Sequence, residues 1–251
     1  MLYAIFATLL RMAKPTFTIA QRAAAWGVHL FTASGLVAGF MALLAVHEGA
    51  FREAALWLLL TLVIDGIDGT FARLARAETV LPQMSGQTID YVIDFATYAI
   101  IPAFFFYEAQ LVSPAWNLPC AAIILFVSAL YYGKSGMVSE DYYFVGFPVM
   151  WNVVVFFLFF VWTFPPLVNV ALVIAFATLH FVPIKFAYPS RNSRFMKLTL
   201  VITAVFVVSL VWLIWQYPVR SDWAVGGCYV GLLYYALLAV YDTWFVPYDG
   251  E

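Results

Sequence analysis

Apolar runs of about twenty residues, long enough for a helix to cross the hydrocarbon core of a bilayer, follow one another along this chain almost without a break. Of its 251 residues, 65% are hydrophobic and only 10% are charged, and the mean hydropathy is +0.92. A water-soluble domain cannot bury that much apolar surface, whereas helices in lipid satisfy their own backbone hydrogen bonds. The expected fold is therefore all-α, a polytopic membrane protein forming one membrane-embedded domain. An isolated apolar stretch at the start would suggest a signal peptide, but here the pattern does not stop. A formal net charge of −2 argues against a nucleic-acid partner. Cys120 and Cys228 both fall inside apolar runs and read as small packed hydrophobes.

Eight spans are expected, at about 25–47, 53–74, 86 onward, 118–132, 147–164, 167–186, 198–215 and 223–245. Residues 1–22 mix Leu2, Ile5, Phe6, Leu9 and Leu10 with Arg11, Lys14 and Arg22, and Pro15 interrupts them. That composition suits an amphipathic helix lying in the membrane interface. Assigning loops alternately to two sides puts Arg11, Lys14, Arg22, Arg73, Arg76, Lys134, Lys185, Arg191, Arg194 and Lys197 on one side, and only Arg52 and Arg220 on the other. The basic side is expected to be cytoplasmic, with both termini on it.

Two acidic clusters interrupt the apolar pattern. In the first, Asp65, Asp68, Gly69, Ala72 and Arg73 follow the spacing of a single helical face; in the second, Gly86, Asp90 and Asp94 repeat every fourth residue. Taken singly, an acid near a helix end is an ordinary solvated interface residue. Brought together by an antiparallel helix pair, four carboxylates repel unless protons or cations neutralise them. An oxygen-rich site without His or Cys at ligand spacing suits hard ions, Mg²⁺ or Mn²⁺, and this many acids suits two of them. Gly69 and Ala72 remove side-chain bulk from the same face and let a large ligand approach.

On these residues the chain resembles the CDP-alcohol phosphotransferase family, whose signature is DxxDGxxAR followed by GxxxDxxxD. All of Asp65, Asp68, Gly69, Ala72, Arg73, Gly86, Asp90 and Asp94 fit it. The connection from Arg73 to Gly86 is longer than is usual in the family, and eight spans exceed the common six, so the resemblance covers about residues 25–200. It implies that a hydroxyl attacks the phosphate attached to diacylglycerol in a CDP-lipid and releases CMP. It also implies Asp65, Asp68, Asp90 and Asp94 as metal ligands and Asp94 as the catalytic base. Gly69, Ala72, Arg73 and Gly86 would receive the CDP group, and Arg191 and Arg194 the lipid phosphate. A homodimer in the bacterial inner membrane is implied as well. His29-Leu30-Phe31-Thr32 is similar to the Asn-Leu-Phe-Thr segment of bacterial phosphatidylserine synthases, which makes Thr32 a further CDP-side candidate, beside the plain alternative of a hydroxyl bonded to its own helix.

The acceptor alcohol is read from charge. One arginine pair is few for both a lipid phosphate and a phosphorylated acceptor, so an uncharged or cationic alcohol is favoured. A quaternary ammonium group asks for aromatic faces and a carboxylate, and Glu140, Asp141, Tyr142, Tyr143 and Trp151 supply such a set, although aromatic residues at this level also belong to an interfacial belt. The overall pattern, including Gly146-Phe147-Pro148 and Trp151-Asn152, is similar to the branch of the family that joins CDP-diacylglycerol to free choline. A serine-using member is the nearest alternative. A membrane prenyltransferase would carry its Asp motifs in separate halves of the chain, and a cation transporter would hold its acids near the midplane.

Overall fold

The computed structural model describes residues 17–139, 143–187 and 195–246. Residues 1–16 of the expected interfacial segment, with Glu140, Asp141, Tyr142, Arg191 and Arg194, lie outside the described residues. Six helices are long and apolar enough to cross a membrane: α1 (Ile19–His47), α2 (Phe51–Ala75), α3 (Gly86–Glu108), α4 (Pro114–Tyr132), α7 (Met196–Gln216) and α8 (Asp222–Trp244). Between α4 and α7 lie two shorter apolar helices, α5 (Trp151–Val161) and α6 (Pro166–Leu179). The protein is an α-helical, multi-spanning membrane protein.

Local chemistry moves several boundaries away from where hydropathy put them. α1 starts at Ile19, inside the expected interfacial segment, because Thr18 and Gln21 form a capping box: the Gln21 N–H donates to Thr18 Oγ1 (3.2 Å) and the Thr18 N–H to Gln21 Oε1 (2.9 Å). The sixth expected span, 167–186, is corrected. Its helix stops at Leu179, and Pro183, which has no N–H, precedes a strand instead. That strand, β2 (Lys185–Ala187), pairs antiparallel with β1 (Tyr143–Val145), Phe144 opposite Phe186. The ladder ties the connection after α4 to the one after α6, and the Lys185 N–H donates to Thr243 Oγ1 near the end of α8 (2.9 Å).

The long link from α2 to α3 is also folded. Arg76 ends α2 in a left-handed conformation (φ 49°), a single helical turn follows at Ala77–Val80, and Ala77, Val80 and Leu81 bury against Ala25 of α1. Ser85 then caps α3, accepting the Thr88 N–H at 3.1 Å. Within α3 a π-helical turn occupies Phe95–Ile100, just before Pro102. In a regular α-helix Pro102 would face the Tyr98 carbonyl with no N–H to give it, and a widened turn relieves that conflict.

The core is aromatic: Phe105, Phe106, Trp151, Phe156 and Phe160 are among the largest fully buried side chains. Helices meet through small residues where their backbones come close. A Cβ on Gly39 of α1 would lie 3.0 Å from Ile101 and 3.1 Å from Thr97 of α3. At the other end of the chain, Gly227 and Gly231 of α8 lie directly on Ser209 and Phe206 of α7. Hydroxyl pairs Thr199–Tyr234 and Thr203–Tyr235, both 2.6 Å, join the same two helices. Cys120 and Cys228 are free and buried, as their apolar surroundings suggested.

Gly39→Leu should force α1 and α3 apart. The expected cost is about 1–3 kcal/mol of overpacking, read as a lower thermal unfolding midpoint of the purified protein in detergent.

Candidate active site

α2 and α3 are joined through the folded link and bring the two acidic clusters to one place. One carboxylate oxygen each from Asp65, Asp68 and Asp90 can be chosen so that all three lie within 4.8 Å of one another. Asp94, one turn beyond Asp90 on α3, abuts Asp65 and completes the set. Asp68 is only 7% exposed. The charges bearing most directly on Asp90 and Asp94 are the other carboxylates.

Polar neighbours orient two of the acids. The Tyr98 hydroxyl donates to Asp65 Oδ2 at 2.7 Å, reaching it from the π-helical turn of α3. Thr32 of α1 and the Gly69 backbone N–H are hydrogen-bonding neighbours of Asp68. A hard divalent cation fits this donor set, because the donors are carboxylate oxygens held close enough to share one ion and the site otherwise gathers like charge.

Towards the end of α2 the same face carries Gly69, Ala72 and Arg73. The Arg73 guanidinium accepts no role in balancing the acids through a direct bond here; its Nη2 donates to Thr70 Oγ1 at 3.0 Å, and Nη1 lies 3.4 Å from where a Gly69 Cβ would stand. Gly86 begins α3 against His29, whose ring would sit 3.4 Å from a Cβ there. His29 is 5% exposed, and its Nε2 has no hydrogen-bond partner among the described residues. Thus the structure gathers Asp65, Asp68, Asp90, Asp94 and Thr32 at one point and places Gly69 and Gly86 beside it, with Ala72 and Arg73 further along α2.

Two of the aromatic residues expected around the alcohol, Trp151 and Tyr143, fall within the described residues. Trp151 is 0% exposed and stacks on His180, ring centroids 5.4 Å apart. Tyr143 is buried in β1, and the Lys185 ammonium sits 5.2 Å above its ring. The sequence reading missed Tyr98 as a partner of Asp65; Tyr132 of α4, expected only as one of the aromatic residues leading into the polar loop, stands within electrostatic reach of Asp94, Asp65 and Asp90. Tyr98 had a signal: it continues the fourth-residue series of Asp90 and Asp94.

No family model matches the sequence. It is 36% identical over 233 residues to the phosphatidylcholine synthase of Pseudomonas aeruginosa, covering 92% of this chain and 98% of that protein. Identity to the phosphatidylcholine synthase of Rhizobium meliloti is 37% over 210 residues, 84% of this chain and 87% of that protein. The chain belongs to the phosphatidylcholine synthase family. The family reaches to Legionella pneumophila, whose phosphatidylcholine synthase is 34% identical over 248 residues, 95% of this chain and 96% of that protein. The family is one of CDP-alcohol phosphotransferases, so this chain is an enzyme of that type and its acidic cluster fits metal-assisted chemistry.

Tyr98→Phe deletes the hydroxyl that fixes the Asp65 carboxylate. Mn²⁺ affinity, titrated calorimetrically on the purified protein, should fall about ten- to a hundredfold while the helical circular dichroism is unchanged.

Proposed function

We propose that this protein transfers the phosphatidyl group of CDP-diacylglycerol to choline, giving phosphatidylcholine and CMP, at a site open to the cytoplasm. The observation that carries the reading is the carboxylate triad with Asp94 against it, in a chain matched nearly end to end by phosphatidylcholine synthases.

In this reading Asp94 takes the proton from the choline hydroxyl as its oxygen attacks the phosphorus that bears diacylglycerol. The phosphorus–oxygen bond to the cytidylate breaks, and CMP leaves. Asp65, Asp68, Asp90 and Asp94 would hold Mn²⁺ or Mg²⁺, as a pair of ions, and bound metal supplies charge neutralisation on the diphosphate. Tyr98 and Thr32 keep Asp65 and Asp68 turned toward that position. Gly69, Ala72, Arg73 and Gly86 leave room for the CDP group, with Thr32 at its inner edge. Arg191 and Arg194 are assigned to the lipid phosphate from the sequence, and Glu140, Asp141 and Tyr142 stay candidates for the acceptor side.

Eight passes through the bacterial inner membrane, both termini cytoplasmic, suit the contacts of the two short helices. At its start α5 meets the ends of α4 and α6, where the rings of Trp151 and Tyr131 both pack on His180. At its far end Phe159 packs on Phe51, the first residue of α2 (5.0 Å), and on Tyr217, just past α7 (5.2 Å). Asn169 near the start of α6 donates to the Leu111 carbonyl beyond α3 (2.7 Å). These contacts support a reading in which both segments run between the two ends of the bundle. The distribution of Lys and Arg supports the orientation, and the family resemblance supports a homodimer.

Purified protein with CDP-diacylglycerol and Mn²⁺ should release CMP when choline is added. Serine, inositol and glycerol 3-phosphate should not replace it; release with serine alone would make the enzyme a phosphatidylserine synthase. Asp94→Asn should lower kcat by about 10²–10⁴-fold, the usual worth of a positioned general base, and near-normal turnover would remove Asp94 from that role.

A further inference from the structure

We propose that Tyr91, Phe95 and Tyr132 form the seat of a quaternary ammonium group beside Asp94 and thereby set which alcohol the enzyme accepts. The inference rests on the transferase reading above and names residues for its acceptor.

On α3 each of these rings follows a carboxylate in sequence: Tyr91 follows Asp90, and Phe95 follows Asp94. A step of one residue turns about 100° around a helix, so an aromatic stripe runs alongside the acidic one. The last residue of α4, Tyr132, meets both rings edge-on, with centroids 5.8 Å apart and interplanar angles of 66° to Tyr91 and 88° to Phe95. Tyr91 is held from one turn back, where Gln87 Nε2 donates to its hydroxyl at 2.9 Å. Tyr132 also stands within electrostatic reach of Asp94, Asp65 and Asp90. The ring cluster thus lies beside the carboxylates.

A trimethylammonium group has no N–H to donate. It is held by aromatic faces and by a negative field, and both are found here. In an edge-on pair, the ring that presents its edge keeps both faces clear of its partner. The cluster is not sealed as core either: Tyr91 is 39% exposed, and Phe95 and Tyr132 are half-buried. Trp151, by contrast, is 0% exposed. Tyr143 already has the Lys185 ammonium over its ring, and a second cation would be repelled there. A choline whose ammonium sat at Tyr132 would have its hydroxyl, two carbons away, on the side of Asp94.

The test compares full-length wild type with Tyr91→Leu, Phe95→Leu, Tyr132→Leu and Tyr132→Phe, following CMP release against choline and, separately, against CDP-diacylglycerol. Inhibition by tetramethylammonium, which carries the cation without the hydroxyl, is measured alongside. Tyr132→Leu should raise the choline KM and the tetramethylammonium inhibition constant together, by roughly five- to thirtyfold, the worth of a desolvated cation–π contact. The CDP-diacylglycerol KM should stay within about twofold, and Tyr132→Phe, which keeps the ring, should bind choline nearly as wild type does. Tyr91→Leu and Phe95→Leu should shift the same two constants in the same direction, and they carry the test if Tyr132→Leu does not fold. Choline-dependent release with an unchanged choline KM in the folded leucine variants overturns the seat and leaves the transferase reading standing. A wild type that ignores choline and releases CMP with another alcohol overturns the choline reading and the seat with it.

Discussion

Four carboxylates gathered inside a membrane-embedded bundle set the terms for the rest of this structure. In a low-dielectric surrounding their repulsion is severe, and taking them out of water is costly before any repulsion is counted. Close approach of Asp65, Asp68 and Asp90 is tolerable only if protons or cations neutralise them. The neighbours that orient these acids are neutral donors: the Tyr98 hydroxyl on Asp65, and Thr32 with the Gly69 amide beside Asp68. These groups orient oxygens without neutralising them, which leaves the excess negative charge for a cation to balance.

Much of the packing serves to keep that point fixed. Gly39 lets α1 lie on α3 close to the π-helical turn from which Tyr98 reaches Asp65. The folded link after α2 lays Ala77, Val80 and Leu81 against Ala25, so α3 enters the bundle at a fixed height and Asp90 arrives level with Asp68. Further away, the β1–β2 ladder and the Lys185–Thr243 hydrogen bond tie two connections and the end of α8 together on the side of the bundle where α4 ends. The last two helices clasp each other through Gly227, Gly231 and two hydroxyl pairs.

The membrane class, the long helices and the four acids were legible in the sequence because each is written in a local period: apolar runs for the helices, i, i+3 and i+4 spacing for the acids. Features that depend on partners distant in the chain were not. β1 and β2 are three residues each and lie some forty positions apart, too short to show alternation against aromatic-rich surroundings. Trp151 was expected on the alcohol side from its place near the polar loop, and only the fold shows its indole buried and stacked on His180, just past the end of α6. Tyr132 could be grouped only with the aromatic residues leading into the polar loop, since nothing local says that the end of α4 turns toward Asp94. The shortness of α6 follows from Pro183 and from pairing of the segment beyond it, and hydropathy alone reads straight through both.

Electron paramagnetic resonance of Mn²⁺ titrated into the purified protein tests the claim that the four acids form one metal site. Tight binding should remove the free six-line signal and give a broadened spectrum of spin-coupled Mn²⁺, and Asp65→Asn should restore the free signal at the same concentrations. A free-ion spectrum throughout the wild-type titration would contradict a metal-centred site and leave the carboxylates without the charge their arrangement requires.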